Sequence, residues 1–211
     1  MMKLADYTVT KFSEELASDS PAPGGGSAAA LEASLGAGLV AMVCRLTVGK
    51  PQFEPHREAL LAIQERSEAL RAALLGVMDR DTEAFLQVSG AFALPKSTDE
   101  EKAARSAAIQ RGLEACTRTP LEVMELAAEG LELAVSLAER FNENSASDLG
   151  VAALSLQAGM VGAWLNVCIN VGSLKDKALA QSCRERGEAL LAKAQPMADR
   201  LSTQIGEIVG A

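Results

Sequence analysis

The sequence predicts an all-α fold, a single-domain bundle of five to seven helices over residues 1–211 with long, partly kinked members. Aromatic residues make up only 3% of the chain while alanine, leucine and glutamate dominate, which favours helices over a sandwich or barrel. Apolar residues recur at three- and four-residue steps through most of the length, the helical period. Proline and glycine clusters punctuate these runs. At 211 residues the chain is long enough to bury one substantial core.

Taken in order, Thr8 is placed to cap a first helix running to about Ser18, with Phe12 and Leu16 facing inward. Residues 20–27, Ser-Pro-Ala-Pro-Gly-Gly-Gly-Ser, read as a non-helical loop opening into an alanine-rich helix that ends near Gly49-Lys50-Pro51. A long helix begins around Pro55 and fades near Leu94-Pro95. Ser97 or Thr98 caps the next one, whose acidic first turn (Asp99, Glu100, Glu101) suits the helix dipole. Pro120 is expected to break or kink that run, which resumes from Leu121 to Arg140. After a polar connection at residues 142–147 comes an uncharged helix to about Val171, then an amphipathic helix from Leu174 toward Ile208 with a kink expected at Pro196.

Charge and cysteine usage narrow the function. A net charge of −8 disfavours nucleic acid as a partner, because phosphate binding needs clustered Lys and Arg. Cys44, Cys116, Cys168 and Cys183 show no CxxC spacing, and with one histidine, His56, they form no recognisable zinc site. Reduced thiols in a cytoplasmic protein fit better. The N-terminus lacks a basic region followed by an apolar core, so no secretory signal is read. Residues 149–174 carry no Asp, Glu, Lys or Arg and are long enough to span a bilayer. Gln157, Asn166 and Asn170 interrupt that stretch, and a central bundle helix buried all round is expected rather than a membrane span. Glu32 interrupts the one other apolar run, so no second span is expected.

Asp81 is the residue that breaks the pattern. One seam of the long helix reads Leu60, Ser67, Leu74, Asp81, Val88 and the other Ile63, Leu70, Val77, Ala84, Ala91. A carboxylate on such a buried stripe costs several kcal/mol in desolvation unless compensated, roughly the penalty of one buried ion. A sequestered carboxylate with a raised pKa is a candidate general base. Asp79, roughly 200° around the helix, is expected to face solvent.

Two further features carry chemistry or packing. Gly24, Gly25 and Gly26 precede a helix N-terminus, either as a flexible turn or as a site where backbone N–H groups approach a ligand. No GK[ST] follows and no strand precedes, so the run is neither a Walker loop nor a Rossmann fingerprint. Asp148, Ala152, Ser155, Gly159, Gly162, Asn166 and Asn170 share one face of the uncharged helix, as a close-packing surface or as a groove with carboxamide walls. Trp164 reads as core, His56 and Glu32 as surface, and Lys50, Lys96, Lys102 and Arg105 as charges near helix ends.

Three segments together resemble the formiminotransferase-cyclodeaminase C-terminal domain and methenyltetrahydrofolate cyclohydrolase family: residues 20–30 (SPAPGGGSAAA); Asp81-Thr82-Glu83-Ala84-Phe85 followed by Leu94-Pro95-Lys96 and Glu100-Glu101-Lys102; and residues 144–171 with Ser147-Asp148 and Asn166-Val167-Cys168-Ile169-Asn170. The resemblance covers nearly the whole chain in order. Phe141 departs from it, standing where relatives often have glycine. The resemblance implies an all-helical fold, a homodimer formed through the bundle, and a tetrahydrofolate derivative as substrate with no other cofactor. It implies Asp81 as the catalytic carboxylate. Gly24, Gly25, Gly26, Ser27, Lys96, Asn144, Asp148, Asn166 and Asn170 are the implied substrate-binding residues. No formiminotransferase domain precedes the match, so cyclohydrolase is expected ahead of cyclodeaminase, with a non-catalytic helical adaptor as the reading of a different class.

Overall fold

The computed structural model describes residues 3–210; residues 1, 2 and 211 of the expected domain lie outside the described residues. Six helices form it: α1 (Val9–Leu16), α2 (Gly25–Thr47), α3 (Arg57–Phe92), α4 (Asp99–Leu137), α5 (Ala146–Val171) and α6 (Lys177–Val209). No strand occurs among the described residues. The caps at Thr8 and Thr98 are those the sequence predicts, and α6 starts at Lys177 rather than at Leu174. Thr8 Oγ1 accepts the Lys11 N–H at 3.1 Å, Thr98 and Glu101 form a reciprocal capping box at α4, and Asp176 caps α6.

Three expectations are revised. Gly25 and Gly26 belong to the first turn of α2 rather than to a loop, and Gly24 is its N-cap. Helix α4 continues through Pro120 without the break that was one expectation there, while Pro196 lies inside α6 as expected. Packing on α3, α5 and α6 holds α4 on course, so Pro120 costs a hydrogen bond without ending the helix. Leu16 is 38% exposed rather than buried, and Phe12 is the one buried residue of α1.

One apolar core extends from Leu4 to Ile205. Helix α2 packs most extensively on α5 and α3, and α2 and α5 run antiparallel, with Gly25 against Asn166 at one end and Gly36 against Ala152 and Leu156 further along. Small residues set their spacing. A Cβ on Gly159 would lie 2.6 Å from the Ala29 carbonyl oxygen, so most of the small-residue face of α5 is a close helix contact.

Helix α5 is not buried all round. Its inner face (Leu149, Leu156, Met160, Val167) is sealed, but Val151, Leu154, Val161, Leu165 and Ile169 are exposed, Leu165 by 65% and Ile169 by 75%. Leu35 on α2 extends this exposed apolar surface through a groove shared with Val151. Helix α2 is also long and apolar enough to cross a membrane, contrary to expectation, although most of its apolar window is buried in the bundle. Glu32 sits on its exposed side and does not interrupt the buried faces.

Candidate functional site

The seam of α3 faces inward as the heptad predicts, with Leu60, Ser67, Leu74 and Ile63, Leu70, Val77 all buried. One turn beyond Val77 it reaches the N-terminus of α2, and there Asp81 stands. Ser27 Oγ donates to Asp81 Oδ2 at 2.9 Å, and the same hydroxyl lies 3.1 Å from Thr82 Oγ1. Gly26 makes this approach possible: a Cβ there would fall 2.4 Å from Asp81 Oδ1. Neither Gly24 nor Gly26 adopts positive φ, which among the described residues only Gly49 and Gly210 do. The glycine at position 26 therefore serves proximity rather than a turn.

Two influences oppose each other at Asp81. Burial pushes its carboxyl above the ordinary 3.8, while hydrogen bonds from the Ser27 hydroxyl and main chain pull it down; burial prevails. Asp79 is half-buried rather than solvent-facing, because the Leu4 N–H folds back onto Oδ1 at 2.7 Å.

Asp81 opens into a cavity of about 330 Å³, within the size range of small-molecule sites. Gly24, Gly25 and Gly26 form one wall, Asn166 and Asn170 another, and Phe85 and Ile169 supply apolar flanks suited to a flat ring. Cys116 closes the floor from α4, its thiol pushed up to about 11 by burial and by the Asp81 charge. Asn166 Nδ2 donates to the Gly162 carbonyl at 2.9 Å, and Asn170 Nδ2 to the Cys116 carbonyl at 2.7 Å.

Within one chain the structure does not bring three of the expected residues here. Lys96 is exposed in the connection between α3 and α4, away from the cavity lining. Asn144 borders a different cavity of about 500 Å³ with Lys50 and Arg140. It lies beside the far end of α2, where Asn142 bonds Thr47 and Leu46. Asp148 occupies the first turn of α5, roughly 30 Å from Asn170 at about 1.5 Å per residue. The antiparallel pairing of α2 and α5 separates them: the glycine turn meets the C-terminal end of α5, not its start. Phe141, the departure from the family pattern, is buried in the core.

Sequence reasoning missed Cys116, Thr82, Phe85 and Ile169 as cavity residues. Thr82 and Phe85 follow Asp81 on α3 and were accessible from its periodicity. Nothing in the sequence distinguished Cys116.

Comparison with known proteins agrees with this architecture. A methenyltetrahydrofolate cyclohydrolase of Methylorubrum extorquens is 45% identical, over 92% of this chain and 93% of its own length. The formimidoyltransferase-cyclodeaminase of Rattus norvegicus is 36% identical over 92% of this chain, which spans only 36% of that longer protein. The crystal structure of a formiminotetrahydrofolate cyclodeaminase from Thermotoga maritima superposes with a TM-score of 0.87, at 26% identity over 97% of this chain and 98% of that one. Residues 8–189 match the family described as formiminotransferase-cyclodeaminase, and the chain belongs to that family.

Proposed function

We propose that this protein is a folate one-carbon enzyme, a methenyltetrahydrofolate cyclohydrolase, with Asp81 as its general acid and base. The observation that carries the reading is a carboxylate, desolvated and hydrogen-bonded to Ser27, facing a cavity with apolar flanks and carboxamide walls. The likeness to the cyclohydrolase along nearly the full length of both chains selects this reaction.

Water adds to the methenyl carbon between N5 and N10, and Asp81 accepts its proton as the C–O bond forms. The tetrahedral carbon then loses N5, to which Asp81 returns a proton, and the remaining hydroxyl becomes the carbonyl of 10-formyltetrahydrofolate as its proton departs. Only proton transfer is needed, so water and the folate itself are the small-molecule requirements. Gly24, Gly25, Gly26, Asn166 and Asn170 border the bound heterocycle in this reading, and Ser27 orients the carboxylate.

The cyclodeaminase names of several relatives support a second reading, in which N10 attacks the formimino carbon on N5 and ammonia leaves. Purified protein should bleach the absorbance of 5,10-methenyltetrahydrofolate faster than the spontaneous rate. Ammonia release from 5-formiminotetrahydrofolate without that bleaching would reassign the reaction. Tetrahydrofolate compounds at 100 times their Kd should stabilise the protein by about 2.7 kcal/mol; no shift in melting temperature would favour an adaptor.

The protein acts as a cytoplasmic homodimer in this reading. The exposed face of α5 is free of charge, and Val151, Leu154, Val161 and Leu165 repeat at the three- and four-residue steps of a helix seam. An apolar surface of this kind calls for a cover, and a second copy supplies an identical one. Ile169 lies both on that face and in the cavity lining, so the partner would border the site. Free cysteines at all four positions fit a reducing compartment. Leu165→Glu should convert the dimer to a monomer in analytical ultracentrifugation; a wild-type protein already monomeric at micromolar concentration would overturn the assembly.

A further inference from the structure

The unbroken passage of α4 through Pro120 has a partner on α5. Proline supplies no N–H, so the Cys116 carbonyl, four residues earlier, has no donor within the helix. It accepts instead from Asn170 Nδ2 at 2.7 Å. A carbonyl can only accept, so the Asn170 amide has one permitted orientation, with its NH2 toward Cys116 and Oδ1 on the opposite branch. Among the described residues, Ser67 Oγ is the only sealed side-chain polar atom without a partner. Asn170 Oδ1, which receives no hydrogen bond from them, is therefore not sealed, and its residue lines the Asp81 cavity.

We propose that Pro120 is a positioning residue: by withholding the helical donor from the Cys116 carbonyl, it fixes Asn170 so that Oδ1 accepts an N–H of the substrate. This rests on the folate reading for the identity of the ligand. The reduced pterin of a tetrahydrofolate carries N–H donors on its pyrimidine edge, and an amide locked in this way accepts them while refusing an acceptor. A non-proline residue at 120 restores an N–H that shares the carbonyl with the amide, which weakens the hold on Asn170 and loosens the orientation of its side chain.

Pro120→Ala tests this without endangering the helix, since alanine is the better helix former. Its KM for 5,10-methenyltetrahydrofolate should rise about tenfold, the scale of one hydrogen bond. The kcat, its pH profile and the helix content should stay as they are. In an Asn170→Ala background the same change should have no further effect on KM. An unchanged KM, or an equal rise in both backgrounds, overturns the proposal. NMR of the ligand-free protein supplies a readout independent of turnover. The Asn170 side-chain NH2 should be protected from exchange in the wild type and less protected in Pro120→Ala. No protection in the wild type refutes the amide lock. Protection in a protein that neither binds nor converts a folate refutes the folate assignment instead and leaves the lock standing.

Discussion

Replacing Asp81 by Asn lowers kcat by about 10²–10⁴-fold, the usual contribution of a positioned general acid–base group, and leaves the fold intact. Asparagine keeps the size of the side chain and an oxygen to accept from Ser27 Oγ, which lies 2.9 Å from Asp81 Oδ2. What is lost is the ability to hold a proton. Near-normal turnover of the variant would remove Asp81 from the mechanism. The pH dependence gives a second check. Because burial lifts the folded-state pKa above the ordinary 3.8, the native protein binds this proton more tightly than the unfolded chain does. The stability this contributes is complete below the ordinary value and is lost as pH rises through the raised one. The melting temperature of Asp81→Asn relative to wild type should therefore climb between acid and neutral pH. In the wild type, kcat/KM should fall on acidification at a pH above that of a solvated aspartate. A stability difference independent of pH would mean that the carboxyl is as well solvated folded as unfolded.

The second large effect is expected one residue from the helix cap. Gly26→Ala places a methyl 2.4 Å from Asp81 Oδ1 and 2.7 Å from Cγ, closer than any real contact, and the carboxylate must swing away. A displacement of about 1 Å at a catalytic group can cost on the order of 10²-fold, and kcat should drop by that much. Alanine suits the first turn of α2, so thermal stability should hold. Gly25→Ala is the comparison for the Asp81 displacement alone: its methyl would meet Asn166 Nδ2 at an ordinary 3.6 Å, narrowing the cavity and raising KM without touching the carboxylate. Equal rates for the two variants would show that the Asp81 position does not limit turnover.

The sequence revealed Asp81 for a definite reason: a charge on a seam whose other members are apolar or small is visible from periodicity alone, and burial of those neighbours followed. The six helices were legible in the same way, through caps such as Thr8 and Thr98. What periodicity does not specify is which end of one helix meets which end of another. Asp148 and Asn170 share a face of α5 but lie at opposite ends of it, so a shared face did not mean a shared site. Helix α5 posed a related difficulty, because a stripe facing solvent and a stripe facing the core are equally apolar there. Pro120 was readable as a lost hydrogen bond, but the side chain that answers it comes from a distant segment, α5.

The contact between Gly159 and Ala29 has a bearing on inheritance. Main chain touches main chain there, with no room for even a methyl, so the separation of the glycine turn from Asn166 works as a rigid gauge block. Exchanging leucines for methionines elsewhere in the interior can shift the melting point without changing that gap. Descendants that drift in sequence should keep the same gap between the glycine turn and Asn166 until a side chain larger than hydrogen appears at position 159.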